Sequence, residues 1–300
     1  ESIGRTDLPG GNAHAIVESP ESADSAGRRS MVPVSVDLSA QRSSRVAIVA
    51  IAARAGESSQ SEQVRQRAVS ATPGARAMQM KGFNLTMPHK VRVIPFLDGI
   101  SEAARAIGAV NTVYRENGRL IGENTDGKGF VEALGMVGVS LDGKRVALLG
   151  AGGAAKAIGV ECALAGAAKI TVINRDRLRG EELAGAILKN TVAEAEYLPW
   201  EGAAKIPACD ILVNATPVGL GSGEKPDIDY TGIAPGMVAA DVVFNPEWTA
   251  FLNEAKSRGA TAVTGLGMLA CQGACNFELW TGERAPFDAM YEALKAEFAE

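Results

Sequence analysis

The stretch "KRVALLGAGGAA", from Lys144 to Ala155, constrains the fold more than any other part of this 300-residue chain. Its first half is an apolar run typical of a buried parallel strand, and its second half has the G-x-G-x-x-A pattern that joins such a strand to a helix. Glycines allow the tight turn and the close approach of a pyrophosphate, and the helix start offers free N–H groups to phosphate. The motif therefore predicts a dinucleotide site on Gly150, Ala151, Gly152, Gly153 and Ala154.

Apolar strands and helical stretches alternate after this motif. "KITVINR", "DILVNATP", "VAADVVF" and "TAVTG" are predicted strands, "AAKAIGVECALAG" is a predicted helix closed by Gly166, and "EELAGAILKN" is a predicted helix. Further helices are expected over residues 248–258, 267–281 and 286–299. Steady alternation predicts an α/β fold with a doubly wound parallel sheet of the Rossmann type, and the length of the chain indicates two domains.

Composition argues against several classes of function. A net charge of −5 and a pI near 5.3 give no basic surface for a polyanion, so nucleic acid is not an expected partner. No run approaches 18 apolar residues and no leader pattern opens the chain, so neither a membrane span nor secretion is predicted. Four cysteines without paired spacing are compatible with the cytoplasm. Cys271 and Cys275 lack neighbouring histidines, so we expect small core residues there and no metal.

The first 80 residues differ in composition from the rest of the chain. They contain no Phe, Tyr, Trp or Lys and hold 13 of the 17 serines. Such a segment buries little apolar surface, although residues 32–40 and 45–55 each suit a short strand or helix. Two interpretations stay open for residues 1–77: a divergent but folded start, and a segment that is disordered, replaced or read out of frame.

The end of the second predicted strand bears on the choice of dinucleotide. An NAD site usually has an acidic residue there, whereas this chain has Asn174 and Arg175, and a guanidinium favours the 2′-phosphate of NADP. Asp176 would repel that phosphate and suits a free ribose hydroxyl, and Arg179 adds a second guanidinium nearby. NADP is therefore the first choice, and NAD stays open.

Two polar, glycine-containing loops offer a proton-handling pair. Lys90 ends "GFNLTMPHK" and Asp126 lies within "GENTDGKGF", each just before a predicted helix. A lysine can exchange a proton with an alcohol when a carboxylate holds it in place. Asn84, Thr86, Asn111 and Thr125 add neutral donors and acceptors that suit a hydroxylated ligand.

Six motifs together resemble the shikimate dehydrogenase family, including its quinate/shikimate branch. They are "GFNLTMPHK", "GAVNTV", "GENTDGKGF", "GAGGAA", "NATPVG" and "GLGMLACQGACNFELWTG", in that order, and they cover roughly residues 78–300. The resemblance implies reversible NADP- or NAD-dependent reduction of 3-dehydroshikimate to shikimate, in the route to chorismate and the aromatic amino acids. It also implies a substrate-binding domain continuing over 78–130, a Rossmann NAD(P)-binding domain over 131–265, and C-terminal helices over 266–300 that return to the substrate domain.

Site residues follow from the resemblance, motif by motif. It implies that Lys90 and Asp126 form the catalytic pair, and that Thr86, Asn111, Gln272 and Phe244 contact the substrate. For the cofactor it implies contacts to the nicotinamide from Val242 and Gly265, and contacts to the phosphates and adenosine ribose from residues 150–154 and 174–179.

Two departures from the family pattern qualify these implications. Phe244 stands where the family usually has a tyrosine, and no Ser-x-Ser loop for a substrate carboxylate is recognisable in residues 1–77. Two further hypotheses therefore stay open beside a shikimate dehydrogenase: an NAD-dependent quinate/shikimate dehydrogenase, and a non-catalytic dinucleotide-binding protein with an incomplete substrate pocket. A monomer or a homodimer is expected.

Overall fold

The computed structural model describes residues 12–23, 29–37, 50–51, 72–86 and 88–298. The two interpretations of residues 1–77 concern a segment that lies mostly outside these ranges. Its described parts are an antiparallel pair of strands, β1 (Asn12–Ala23) and β2 (Arg29–Asp37), the short strand β3 (Ala50–Ile51) and the helical residues 72–77, named α1.

A five-stranded mixed sheet forms the N-terminal half. In sheet order its strands are β3, β4 (Gly82–Leu85), β6 (Thr112–Glu116), β7 (Arg119–Glu123) and β5 (Gly99–Ile100). Strands β4, β6 and β7 are antiparallel neighbours, whereas β3 and β5 each run parallel to the strand beside them. Phe83, Val113 and Leu120 are buried in one apolar cluster with Ala104. Besides α1, the described helical elements of this half are the single turn α2 (His89–Arg92), a 3-10 turn (Ile94–Phe96) and α3 (Glu102–Ile107).

Six parallel strands form the sheet of the C-terminal half. In sheet order they are β10 (Glu194–Pro199), β9 (Lys169–Asn174), β8 (Arg145–Leu149), β12 (Ile211–Asn214), β14 (Val238–Asp241) and β15 (Thr261–Val263). This is the strand order 3-2-1-4-5-6 of dinucleotide-binding sheets. The order reverses between β8 and β12, so a crevice opens at the carboxyl ends of these two strands, where ligands bind in such sheets.

Helices α5 (Gly153–Leu164), α6 (Arg177–Asn190) and α7 (Ala250–Ser257) pack against this parallel sheet, together with the 3-10 turn Tyr230–Gly232 and the paired short strands β11 (Ala204–Lys205) and β13 (Ile228–Asp229). Helix α9 (Phe287–Glu297) packs against the helix before it, α8 (Gly265–Thr281). Gly166 follows α5 with a positive φ of 99°, as expected for the residue that ends this helix.

Two helices connect the halves, α4 (Thr125–Met136) and α8 (Gly265–Thr281). Glycines let α4 approach both of its neighbours closely: a β-carbon at Gly127 would clash with the carbonyl oxygen of Ala157 in α5, and one at Gly129 would lie 2.6 Å from the backbone nitrogen of Gln272 in α8. Helix α4 is therefore held between α5 and α8, and its first turn faces the five-stranded sheet of the N-terminal half.

The predicted two-domain α/β fold with a doubly wound parallel sheet is confirmed. The sequence prediction missed β10, because this edge strand is only half-buried and lacks the apolar run of an inner strand. Within the part of the chain that the structure describes, no helix has the length and hydropathy needed to cross a membrane.

Candidate active site

Lys90 and Asp126, the predicted proton-handling pair, are in direct contact. Lys90 Nζ donates to Asp126 Oδ2 at 2.6 Å, and the two side chains are 23% and 19% exposed. Lys90 lies in α2 and Asp126 in the first turn of α4, where the helix dipole stabilises a carboxylate. Asn124 caps α4 by accepting from the backbone N–H of Asp126, so the Asp126 carboxylate is left to contact other side chains.

Asn111 holds the second carboxylate oxygen. Its Nδ2 donates to Asp126 Oδ1 at 2.7 Å and to Gln272 Oε1 at 3.3 Å, and its Oδ1 accepts from the backbone N–H of Thr125 at 2.8 Å. The amide therefore has a fixed orientation, with its nitrogen toward Asp126. The structure thus brings together Lys90, Asp126, Asn111 and Gln272, which come from four separate elements or loops.

Thr86 lies at the turn that leads into α2. Its carbonyl oxygen accepts from the backbone N–H of His89 at 2.8 Å, and its side chain is half-buried. Asn84, two residues earlier, donates from Nδ2 to the Asn111 carbonyl oxygen and to Thr112 Oγ1. Over residues 72–86 and 88–298, no side-chain hydrogen bond joins Thr86 to the Lys90–Asp126 pair.

A buried polar cluster that the sequence did not predict lies beneath this pair. Asn276 Oδ1 accepts from Thr112 Oγ1 at 2.6 Å and from Thr125 Oγ1 at 2.7 Å, and Asn276 is 2% exposed. The only sequence signal for it is its position four residues after Gln272 on the same helix, which places both amides on one helix face.

The glycine-rich turn after β8 has the shape of a phosphate cradle. Gly150 has a φ of +107°, and a β-carbon there would lie 3.0 Å from Thr216 Cγ2 in the loop after β12. β-Carbons at Gly152 and Gly153 would meet no atom within 4 Å, and Gly152, the N-cap of α5, provides no side-chain cap. Because the first N–H groups of a helix have no intrahelical acceptor, this open helix start fits the phosphates of a dinucleotide.

The residues expected near the adenosine ribose lie at the carboxyl end of β9. Asn174 Nδ2 donates to the Asp176 carbonyl oxygen at 2.8 Å, and Asp176 Oδ1 accepts from the Arg179 backbone N–H at 3.1 Å, which makes Asp176 the N-cap of α6. The Arg179 side chain lies 3.5 Å from Asp176 Oδ2. Arg175 is exposed, and no residue in the described ranges forms an ion pair with it. The Asp176 carboxylate is thus engaged by α6, while Arg175 faces solvent.

Val242 and Gly265, expected at the nicotinamide, lie side by side. A β-carbon at Gly265 would lie 2.8 Å from the carbonyl carbon of Val242, so α8 begins directly against the loop after β14. Asp241 anchors that loop by accepting from Asn214 Nδ2 at 2.9 Å and Thr249 Oγ1 at 2.7 Å. Burial raises the pKa of Asp241 to about 6, although these donors act in the opposite direction.

Phe244 follows this loop and packs against the C-terminal end of α9. Its ring centroid lies 5.1 Å from that of Phe298, at an interplanar angle of 55°. Among the described residues, its one ring contact is therefore with an aromatic neighbour and not with the Lys90–Asp126 group.

The cysteine pair on α8 shows no metal-site geometry. Cys271 is buried and Cys275 half-buried, and burial raises the pKa of the Cys271 thiol to about 12 and that of Cys275 further. Among the residues that the structure describes, no three His, Cys, Asp or Glu side chains are arranged to hold a metal ion.

Three family models match consecutive parts of the chain. The shikimate dehydrogenase substrate binding domain matches residues 51–113, shikimate / quinate 5-dehydrogenase matches 132–219, and the shikimate 5'-dehydrogenase C-terminal domain matches 265–295. The shikimate dehydrogenase (NADP(+)) of Desulforamulus reducens is 44% identical over 236 residues, which cover 77% of this chain and 81% of that protein. The chain belongs to the shikimate dehydrogenase family.

Two solved structures share the fold of this chain. Shikimate 5-dehydrogenase from Listeria monocytogenes, in complex with shikimate and NAD, superposes with a TM-score of 0.71 at 33% identity, over 78% of this chain and 83% of that one. The ligand-free 5-ketofructose reductase of Gluconobacter sp. strain CHM43 superposes with a TM-score of 0.75 at 47% identity, over 77% of this chain and 83% of that one. The predicted family and the assignment to the oxidoreductases are thus confirmed, and the substrate-domain match begins at residue 51, earlier than the first recognised motif.

Proposed function

We propose that this member of the shikimate dehydrogenase family catalyses the reversible NADP-dependent reduction of 3-dehydroshikimate to shikimate. The observation that carries the proposal is the 2.6 Å contact between Lys90 Nζ and Asp126 Oδ2 beside Asn111 and Gln272. The name of the Desulforamulus relative, shikimate dehydrogenase (NADP(+)), supports both the reaction and the cofactor.

Lys90 transfers the proton in this proposal. During reduction the Lys90 ammonium donates a proton to the carbonyl oxygen while the carbon of that carbonyl gains a hydride, so the ketone becomes a secondary alcohol. A nicotinamide held at Val242 and Gly265 would supply this hydride and would accept it in the reverse direction. In oxidation the neutral amine of Lys90 removes the hydroxyl proton. Partial exposure of Lys90 allows solvent to restore its proton between turnovers.

Asp126 orients the amine of Lys90. One of its oxygens accepts from Lys90 and the other from Asn111, so the carboxylate acts as a fixed acceptor on both sides. Thr86, Asn111 and Gln272 supply neutral groups for substrate hydroxyls. Phe244 contributes a ring wall without a hydroxyl, next to Phe298.

Residues beyond the carboxyl ends of the parallel strands would hold the cofactor. The open turn from Gly150 to Ala154 takes the pyrophosphate, Arg175 takes the 2′-phosphate with Arg179 beside it, and Val242 and Gly265 line the nicotinamide pocket. Asp176 caps α6, and this supports NADP. A carboxylate that caps a helix accepts from the backbone N–H groups of that helix and is not directed at a ribose hydroxyl.

A 5-ketofructose reductase is the second candidate function. The solved structure with that name is 47% identical to this chain, above the 33% of the Listeria shikimate 5-dehydrogenase. 5-Ketofructose has carbonyl and hydroxyl groups but no carboxylate, which agrees with the lack of a recognisable Ser-x-Ser loop in residues 1–77. The Lys90–Asp126 pair would handle the proton in the same way.

One set of steady-state assays separates the candidates. Rates are measured with 3-dehydroshikimate and with 5-ketofructose as oxidants of NADPH and NADH, and with quinate and shikimate in the reverse direction. The proposal expects the highest kcat/KM with 3-dehydroshikimate and NADPH. Exclusive activity on 5-ketofructose, or exclusive oxidation of quinate with NAD, would reject it. Calorimetric binding of NADP without turnover of any substrate would favour the non-catalytic alternative.

We also propose a cytoplasmic monomer or homodimer. All four cysteines are free thiols, which suits a reducing compartment. Light scattering after size-exclusion chromatography measures the assembly, and a stable species larger than a dimer would contradict the proposal. Cell fractionation tests the location.

A further inference from the structure

Asn276 joins helix α8 to the two segments that carry the proposed reactive side chains. Its Oδ1 lies 2.6 Å from Thr112 Oγ1 and 2.7 Å from Thr125 Oγ1. Thr112 directly follows Asn111 at the start of β6, and Thr125 directly precedes Asp126 at the start of α4. One buried amide oxygen thus holds both segments at positions adjacent to the site.

The amide oxygen of Asn276 determines which groups donate in its two hydrogen bonds. An amide oxygen has two lone pairs and no proton, so both threonine hydroxyls must donate to Asn276. Thr125 Oγ1 lies 2.7 Å from Asn276 Oδ1 but 3.2 Å from Asn111 Oδ1, so its single proton is directed to α8. Asn111 Oδ1 then accepts from the Thr125 backbone N–H, and Asn111 Nδ2 is left for Asp126 and Gln272.

Loss of the Asn276 oxygen would redirect these bonds. The Thr125 hydroxyl would have Asn111 Oδ1 and Thr112 Oγ1, at 3.2 and 3.1 Å, as its remaining acceptors among the described residues. A bond to Asn111 Oδ1 changes the contacts of the Asn111 amide, which holds Asp126. A bond to Thr112 Oγ1 changes the contacts of β6, the strand that directly follows Asn111. The effect passes from Asn276 through Thr125 and Asn111 to Asp126, and from there to Lys90.

We propose that Asn276 is a positioning residue for the reaction: it fixes Asp126, and through it the Lys90 ammonium, in the geometry needed for proton transfer. This inference rests on the proposed function for its kinetic consequence, but the geometric consequence does not depend on which substrate is turned over. Asn276 itself contacts neither substrate nor cofactor in this proposal, because it is buried beneath Asn111 and Thr125.

Trp280 provides a matched control on the same helix. It lies one turn after Asn276, is also buried, and donates from Nε1 to the Val113 carbonyl oxygen at 2.9 Å. It therefore ties α8 to the same strand, β6, as Asn276 does. Among the described residues, however, the Val113 carbonyl forms no hydrogen bond with Asp126 or Asn111, so loss of the Trp280 bond loosens α8 without redirecting the Asn111 bonds.

The experiment compares wild type with Asn276→Leu, Asn276→Asp and Trp280→Phe. Leu has a similar volume and no acceptor, whereas Asp keeps an oxygen for both hydroxyls. We expect Asn276→Leu to lower kcat about 10-fold with the KM for NADPH unchanged, and Asn276→Asp to restore most of that loss. Trp280→Phe should lower the melting temperature with little effect on kcat.

Hydrogen exchange of the ligand-free protein supplies a readout that needs no substrate. We expect the amides of residues 123–130 to exchange faster in Asn276→Leu than in wild type, and at the wild-type rate in Asn276→Asp and Trp280→Phe. If wild type does not reduce 3-dehydroshikimate, the proposed function fails while this exchange pattern still decides the inference. Equal kcat losses in Asn276→Leu and Trp280→Phe, or wild-type exchange over residues 123–130 in Asn276→Leu, would overturn it.

Discussion

Gly129 of α4 lies directly against Gln272 of α8, so closely that a β-carbon at Gly129 would be 2.6 Å from the Gln272 backbone nitrogen and 2.8 Å from its Cβ. Backbone cannot move aside as a flexible side chain can, so this contact fixes the spacing of the two helices. Because Gln272 accepts from Asn111, the spacing also sets where α8 meets the proposed active site.

Gly129→Ala should therefore push α8 away from α4. We expect a loss of about 1–3 kcal/mol in the free energy of unfolding, as for overpacked cores, and a decrease in kcat of roughly 10- to 100-fold from the displaced Gln272. Gly135→Ala is the matched control in the same helix, since a β-carbon there meets no atom within 4 Å. It should stabilise the protein by about 0.5–1 kcal/mol and leave kcat unchanged. Denaturant unfolding and steady-state kinetics measure both effects.

Removing either member of the Lys90–Asp126 pair should abolish most of the proton transfer. We expect Lys90→Ala and Asp126→Ala each to lower kcat by about 10²–10⁴-fold, with the affinity for NADP little changed. The control is Lys225→Ala, which breaks an ion pair of similar length, 2.9 Å to Glu254, on the surface of the Rossmann domain. It should leave kcat within about twofold of wild type, as surface ion pairs contribute little. Near-wild-type turnover in Lys90→Ala would remove the assignment.

The parallel sheet was predictable because its signals are local. Each inner strand is an apolar run, and the turn after β8 has glycines where a positive φ and open backbone are needed. The edge strand β10 lacks such a run: it pairs with β9 along one edge only, its four middle residues are half-buried and its two end residues are exposed. Pairing at a sheet edge is decided by the neighbouring strand, which no local pattern encodes.

The candidate site was predictable only in part. The contact of Lys90 with Asp126 follows from two loops that each open a helix toward one cleft, and those loops have recognisable motifs. Asn276 was missed because a single amide in an apolar helix has no distinctive pattern, and its partners Thr112 and Thr125 lie more than 150 residues away in the chain. Only the packing of α8 on the substrate domain shows its contacts.

Arg175 should decide the preference for NADP. It is exposed at the carboxyl end of β9, two residues after Ile173, whose carbonyl oxygen accepts from the Gly150 N–H of the phosphate turn at 2.8 Å. Arg175→Ala should weaken NADP binding by about 10- to 100-fold, the range for one charge-assisted hydrogen bond, and NAD binding far less. Arg177→Ala is the control, since Arg177 is paired with Glu181 at 2.8 Å. Calorimetry with both cofactors measures the ratio, and equal losses for NADP and NAD would contradict the phosphate contact.

Glu161 is a buried carboxyl group between α5 and α4. It is 8% exposed, and its Oε1 has no hydrogen-bond partner among the described residues. Burial raises its pKa to about 7, the positive charge of Lys128 opposes that increase, and Glu123 adds to it. Glu161 is therefore mostly protonated in the folded protein at pH values where it is ionised in the unfolded chain.

This difference makes Glu161 destabilising as the pH rises. The folded state binds the proton more tightly, so stability decreases from the unfolded pKa near 4.5 up to the folded pKa near 7 and then levels off, by about 3 kcal/mol in total. Glu161→Gln should remove that decrease, and its stability relative to wild type should increase by about this amount between pH 4.5 and pH 8 in urea unfolding. Glu182→Gln is the control of opposite sign, because Lys156 lowers the pKa of Glu182 and stabilises the folded state at the higher pH. A Glu161→Gln variant whose stability difference from wild type stays constant across this range would contradict the assignment.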